Sequence, residues 1–183
     1  MLKRFIPIVL LLAACWVVFL VNNYALSGRL LQYGIRPREI SSLTGILWSP
    51  FLHGSMQHLV ANSVPLLVLG AIICARGNHE FAKVTVAGIF LGGGLVWIFG
   101  RHASHVGASG LIFCFFGYLA SLAYFKRNFP TLCLSIVCLL AYGGMLRGIL
   151  PTSAAVSWEA HLAGLISGIW LAWLSSKTRR TAE

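Results

Sequence analysis

The sequence predicts an all-α membrane protein, a six-transmembrane-helix bundle with both termini cytoplasmic, and three observations predict it. Of 183 residues, 58% are hydrophobic and 10% charged, and the mean hydropathy is +0.83, whereas an ordinary soluble domain is about 45–50% apolar and about 25% charged. Six mostly uncharged stretches, approximately 5–22, 56–75, 84–99, 106–125, 132–146 and 160–175, approach the roughly 17–25 residues a helix needs to cross about 30 Å of hydrocarbon. The basic residues stand at the ends of these stretches and not on one face. The formal net charge of +10 is therefore a topology signal and not a nucleic-acid footprint. Little chain remains for a soluble module, so residues 1–183 read as one transmembrane domain.

The first stretch follows Lys3 and Arg4 and has the charged start and apolar run of a secretory signal. No good cleavage site follows, and Asn22, Asn23 and Tyr24 look like the end of a span, so it is expected to stay as the first helix. The connection of about 24–55 mixes Leu30, Leu31, Tyr33, Ile35, Leu43, Ile46, Leu47, Trp48 and Phe51 with polar residues. It fits either an amphipathic structure in the outer interface or an ordered external loop. The remaining loops are short, which makes successive helices antiparallel neighbours.

Glycines mark the second half of the chain: Gly88 and Gly92 in the third span, Gly107, Gly110 and Gly117 in the fourth, Gly164 and Gly168 in the sixth. Small residues four apart let helix backbones approach closely in lipid, so these three spans are the expected centre. The fifth, with Leu132, Leu134, Ile136, Val137, Leu139 and Leu140, is expected at the periphery. Cys15, Cys74, Cys114, Cys133 and Cys138 sit in or beside apolar spans without CxxC spacing. They read as buried thiols and not as a disulfide framework or zinc site.

Orientation follows from the basic residues. Lys3, Arg4, Arg76, Lys83, Lys126, Arg127, Lys177, Arg179 and Arg180 fall on one side of a six-span arrangement, and Arg29, Arg36, Arg38, Arg101 and Arg147 on the other. The richer side is the cytoplasmic one, and its basic rim also favours anionic membrane lipids.

Polar groups inside spans are costly and usually mark function. The chain has no Asp, and its only acids are Glu39, Glu80, Glu159 and Glu183. That excludes aspartyl intramembrane proteolysis, and the HExxH zinc motif is missing. What remains is His58 and Asn62 in the second span, Ser109 in the fourth and His161 in the sixth. All three spans start outside, and each of these residues lies in the first one or two turns. The topology therefore brings them to one level in the outer half of the membrane.

A serine beside a histidine is a nucleophile with its general base, the roles expected of Ser109 and His161. His161 shares a helical face with Gly164 and Gly168. His58 and Asn62, four apart, also share a face and can donate hydrogen bonds to a developing oxyanion, together with a backbone N–H near Ser109. Taken singly, each has a bland reading: a packing serine, hydrogen-bonded histidines, an interhelical asparagine. Four complementary groups at one depth outweigh those readings. His53 is expected to orient the loop before the second span, and Phe113, one turn after Ser109, to pack on the His161 ring. His102 and His105 flank Ser104 in an outer loop; without a carboxylate or cysteine partner they make no convincing metal site with His53. Arg147 and Glu159 bracket the last outer loop as a solvated pair.

At these residues the chain resembles the rhomboid family of intramembrane serine proteases. The matching text runs from Pro50 through His53, His58 and Asn62, then Gly107-Ala108-Ser109-Gly110, then Ala160-His161-Leu162-Ala163-Gly164 with Gly168 following. Order and span assignment match as well, over nearly the whole chain, as a minimal six-helix form. The resemblance implies Ser109 as nucleophile, His161 as base, and His58 and Asn62 as oxyanion-hole side chains, in a cavity open to the outside. Two departures are visible. The Trp-Arg pair found in the first loop of many members is replaced by Thr44 and Gly45, and Phe113 stands where many members have Tyr.

The expected activity is serine-type endopeptidase cleavage of single-span membrane proteins near the outer face of their transmembrane helix, with no metal or cofactor. A helical substrate hides its amides, so the scissile segment must unwind, and Gly or Pro nearby favours that. The resemblance implies a small residue at the cut site, with the fifth span and the loop 148–157 as the gate. Glu159, two residues from His161, points away from it on a helix, leaving a dyad. One rival is an inactive rhomboid-like protein that binds transmembrane clients. Another is a small-solute transporter, which the apolar inner halves of the second, fourth and sixth spans disfavour. A short chain of this kind is expected in a bacterial inner membrane.

Overall fold

Helices form where the apolar runs lie, and those beginning at Met56 and Phe129 start on side-chain caps. A computed structural model describes residues 2–153 and 156–180, with side chains in the final helix through Lys177. Helix α1 spans Ile6–Tyr24 and is preceded by a 3-10 turn, Leu2–Phe5. In α3, Met56–Arg76, the Ser55 hydroxyl caps the first turn by accepting from the His58 backbone N–H at 3.1 Å. Gly77, at φ +146°, turns the chain at once into α4, Asn78–Phe99. Helix α4 thus begins a turn and a half before the expected 84, taking in Glu80 and Lys83. Helix α5 spans Ser109–Lys126. Helix α6, Phe129–Tyr142, is capped by Asn128 and runs into a 3-10 segment, Gly143–Ile149. Helix α7 spans Trp158–Arg180.

Leu2–Tyr24, Met56–Arg76, Asn78–Phe99, Ser109–Lys126 and Phe129–Ile149 are long and apolar enough to cross a membrane. Helix α7 has 23 residues but stands outside that set, diluted by Glu159, His161 and its polar C-terminal turns. Among the described residues there is no strand, only one bridge between Ile35 and His105. Of the expected features, the Arg179 and Arg180 side chains and residues Ala154 and Ala155 of the 148–157 loop lie outside the description.

Helix α5 is the axis of the bundle and touches α3, α4, α6 and α7. Its Cys114, Phe115, Leu119 and Leu122 are fully buried. The closest packing is against α7, and two glycines permit it. A side chain at Gly164 would overlap the Gly110 carbonyl, and one at Gly168 the Cys114 carbonyl. A methyl at Gly92 of α4 would stand only 3.7 Å from the Gly164 Cα, so α4, α5 and α7 meet at small residues. Helix α6 is outermost, with Leu140 83% exposed and α5 as its helical neighbour.

Residues 25–55 form an ordered loop. It contains 3-10 turns at Arg29–Tyr33, Ile40–Ser42 and Ser49–Phe51 and a single α-turn, α2, at Gly45–Trp48. Ile35 and His105 exchange backbone hydrogen bonds of 3.0 and 2.9 Å, and the Trp97 indole N–H donates to the Glu39 carbonyl at 3.0 Å. These contacts seat the loop on the end of α4 and on the segment that leads to Ser109.

Four expectations are corrected. The fourth helix starts at Ser109 and not at 106, because Gly107 takes φ +116°, which a right-handed helix does not allow. Gly107 is therefore a turn residue and not a helix-packing glycine. The fifth ends as an α-helix at Tyr142 and continues in 3-10 geometry from Gly143 to Ile149. Cys133 is exposed, while the other four thiols are buried, because its helix is covered on one face only. Finally, Glu159 is buried and pairs with Arg101 at 3.4 Å, not with Arg147.

Candidate active site

The four polar residues singled out in the spans line one cavity of about 840 Å³ at one end of the bundle. His58 and Asn62 reach it from α3, Ser109 from the first position of α5, and His161 from the first turn of α7. Phe113 and Pro65 form part of its apolar wall, with Arg101, Ser104, His105 and Ser157 on the loop side.

The turn before α5, at the positive φ of Gly107, presents the serine. Gly107 donates its N–H to the Ser49 carbonyl at 2.8 Å, which holds the turn against the first loop. The space that a Gly107 side chain would need is filled by the His58 ring, with the Asn62 amide beside it. His58, Asn62 and the Gly107-Ala108-Ser109 backbone are thus packed around one point. Gly110 faces the Ala160 carbonyl, 3.3 Å from where its Cβ would be, so the start of α5 lies directly against the start of α7.

His161 is held from two sides. Its ring stacks on Phe113 with centroids 4.3 Å apart and planes 7° from parallel. Its Nδ1 lies 2.8 Å from the Gly148 carbonyl oxygen. A carbonyl only accepts, so Nδ1 carries the proton and Nε2 keeps a lone pair. That is the tautomer a general base needs. Among the described residues Ser109 and His161 share the cavity wall without a direct hydrogen bond. Such bonds are often long or misaligned before substrate binds.

His53 sits beneath the α3 pair, 1% exposed. Its Nδ1 lies 3.4 Å from the Phe51 carbonyl, and its Nε2 accepts from Asn62 Nδ2 at 3.1 Å and from the Ala108 N–H at 3.4 Å. The Asn62 amide has two N–H bonds; His53 occupies one and leaves the other for the cavity. Burial, reinforced by the neighbouring His58, pushes the His53 pKa down from 6.5 to about 4, so the ring is neutral and remains an acceptor.

Contacts that sequence reasoning missed tie the loop after α6 to this site. His105 Nε2 donates to the Arg101 carbonyl at 3.1 Å, which leaves Nδ1 to accept from the Ser157 hydroxyl. Arg101 also donates to the Val156 carbonyl at 2.8 Å. The His105 pKa is lowered by burial, consistent with a neutral structural ring. The Gly148 carbonyl carries no side-chain signal that a sequence can display. Ser157 and His105 are 52 residues apart, a pairing that no local pattern reveals. Among the described residues no group of three or more His, Cys, Asp or Glu side chains gathers as metal ligands do.

Similarity to known proteins agrees with this architecture. The family model described as the Rhomboid domain matches residues 41–178. The chain is 37% identical over 181 residues to an uncharacterized protein of Mycobacterium tuberculosis, covering 93% of this chain and 75% of that one. It is 40% identical over 156 residues to an uncharacterized protein of Mycobacterium leprae, covering 80% and 62%. It is 29% identical over 162 residues to RHOMBOID-like protein 5 of Arabidopsis thaliana, covering 82% and 47%. An apolar helical bundle whose matched region carries the cavity residues and the glycine contacts of α5 and α7 thus also has the family's sequence: this chain is an integral membrane protein of the rhomboid family.

Proposed function

We propose that this chain is a serine-type intramembrane endopeptidase that cleaves single-span membrane proteins near the outer end of their transmembrane helix. The observation that carries it is the shared cavity of Ser109, His161, His58 and Asn62, with His161 Nδ1 held by the Gly148 carbonyl. In this reading His161 Nε2 removes the Ser109 hydroxyl proton as Oγ attacks the scissile carbonyl carbon. The oxyanion is stabilised by His58, by the free Asn62 N–H and by backbone N–H groups at the start of α5. The imidazolium then returns the proton to the leaving amine as the C–N bond breaks. Water, deprotonated by His161, attacks the acyl-enzyme and frees Ser109.

Helix α7 acts as the sixth span, with both termini cytoplasmic and the cavity opening outward. The distribution of Lys and Arg supports this orientation. The exposed α6, which lacks tight glycine packing, and the loop that follows it are the element that moves to admit substrate. A bacterial inner membrane is the expected location.

The absence of a direct Ser109–His161 hydrogen bond is the observation that favours the alternative, a family member that binds transmembrane clients without cutting them. One experiment separates the two. Purified protein in detergent and in liposomes is incubated with a panel of single-span substrates, beside Ser109→Ala and His161→Ala variants and a chelator control. Cleavage lost in both variants, by roughly 10²- to 10⁴-fold, and preserved under chelation supports the protease. Equal cutting by both variants overturns the dyad. Folded protein that binds the substrates and cuts none supports client binding.

A further inference from the structure

A second polar cavity lies at the opposite end of the bundle from Ser109, and we infer that it is a binding site for an anionic phospholipid. The cavity encloses about 380 Å³ between the first turns of α4 and the C-terminal halves of α5 and α7. Lys83 and Lys126 line it, together with Glu80 and Tyr118.

The carboxylate does not cancel both lysines. Glu80 Oε1 accepts from Arg76 Nε and, at 2.8 Å, from the Tyr118 hydroxyl, with Lys126 close enough to interact electrostatically. Among the described residues, Arg76 and Lys126 stand beside this carboxylate and Lys83 lies on the same cavity wall, so cations are in excess over the one carboxylate there. Such an excess in a partly enclosed site attracts a phosphate.

The cavity walls favour a lipid over a soluble anion. Going from the end of the bundle towards its middle, Glu80 and Lys83 on α4 give way to Val84 and Ala87, which also line the cavity. On α7, Ser175 gives way to Leu174 and Leu171 in the same direction. Charged rim and apolar interior follow the order of a glycerophospholipid, with the phosphodiester at the lysines and the upper acyl chain along Ala87 and Leu171. A basic pocket between transmembrane helices near the bilayer surface is a recognised mode of headgroup recognition. Binding here is independent of the chemistry at Ser109.

The test is native mass spectrometry of the purified chain in detergent, titrated with phosphatidylglycerol and with phosphatidylcholine of identical acyl chains. The parent is expected to prefer phosphatidylglycerol, and Lys83→Gln/Lys126→Gln is expected to weaken that lipid by roughly thirtyfold, about fivefold per lysine. Lys83→Arg/Lys126→Arg should retain the preference, and Lys3→Gln/Lys177→Gln, which removes two cations outside the cavity lining, should leave it unchanged. Ala87→Phe, which fills the apolar interior while keeping every charge, should weaken phosphatidylglycerol as well. Melting temperatures identify any variant that has lost its fold. Equal loss in the Lys3/Lys177 control would mean diffuse attraction to a basic rim and overturn the site. Displacement of the lipid by millimolar inorganic phosphate would make the occupant a soluble anion and overturn the lipid assignment.

Discussion

The Gly148 carbonyl oxygen lies 2.8 Å from His161 Nδ1, and this contact joins the segment after α6 to the imidazole of the cavity. A carboxylate often holds this position in soluble serine hydrolases; here a backbone carbonyl fixes the ring and its tautomer without adding a charge. The contact comes from the segment proposed to move, so displacement of that segment would free the ring at the same time.

Substitution at Gly148 tests this positioning. A Cβ there would stand 3.0 Å from His161 Nδ1 and 3.2 Å from Phe113 Cζ, tighter than ordinary contact. Gly148→Ala is expected to lower kcat by on the order of tenfold to a hundredfold, the scale on which a small misplacement of a reacting group acts. KM for a single-span substrate and the melting temperature should stay close to the parent. Unchanged kcat would mean that the carbonyl does not hold the base.

The stacked pair gives a second handle. Aromatic stacking contributes about 0.5–1.5 kcal/mol beyond burial, so Phe113→Leu should reduce proteolysis by up to roughly tenfold. Phe113→Tyr keeps the ring and should stay near parental activity. A tyrosine variant as impaired as the leucine variant would show that the site does not tolerate a hydroxyl, and the ring's role would need another account.

At the centre of the bundle the limit is steric. Gly164 has no room for a side chain against the Gly110 carbonyl, and Gly164→Val forces α7 away from α5. Overpacking of this kind costs about 1–3 kcal/mol and can exceed that against rigid backbone. Thermal unfolding in detergent should show a lowered midpoint. Gly144→Ala, where nothing lies within 4 Å of the added Cβ, should leave it unchanged.

Acid should weaken the fold through His53. Its folded pKa of about 4 lies below the ordinary 6.5, so between these values the unfolded chain binds a proton that the native ring refuses. The neutral ring's stabilising effect is complete above pH 6.5 and declines as pH falls towards 4, by up to about 3 kcal/mol. Denaturation followed from pH 7 to 4 should show a flatter pH profile for His53→Gln than for the parent, even if the variant is less stable at neutral pH. Parallel profiles would rule out His53 as the titrating group.

Much of the helical architecture was legible in the sequence because lipid leaves a spanning segment few alternatives. Backbone polar groups must be satisfied within each span, so long apolar runs become helices. Glycines four apart marked where α5 and α7 approach. The exceptions have local causes: Gly77 lets α4 start early, and Gly107 delays α5 until Ser109. Cys133 is exposed because α6 packs by one side, which composition does not report.

For the site, the sequence by itself determined which polar side chains stand in the first turns of three helices, since helix period and antiparallel order follow from local pattern. Only the tertiary structure decided what holds them. Gly148 reaches His161 through a backbone carbonyl, His53 occupies one of two N–H bonds of Asn62, Arg101 and not Arg147 meets Glu159, and Ser157 meets His105. Each of these depends on where loops close over the bundle, and some run through main-chain groups that every residue possesses. Their geometry is therefore set by packing between distant segments and not by the residue types in any one stretch.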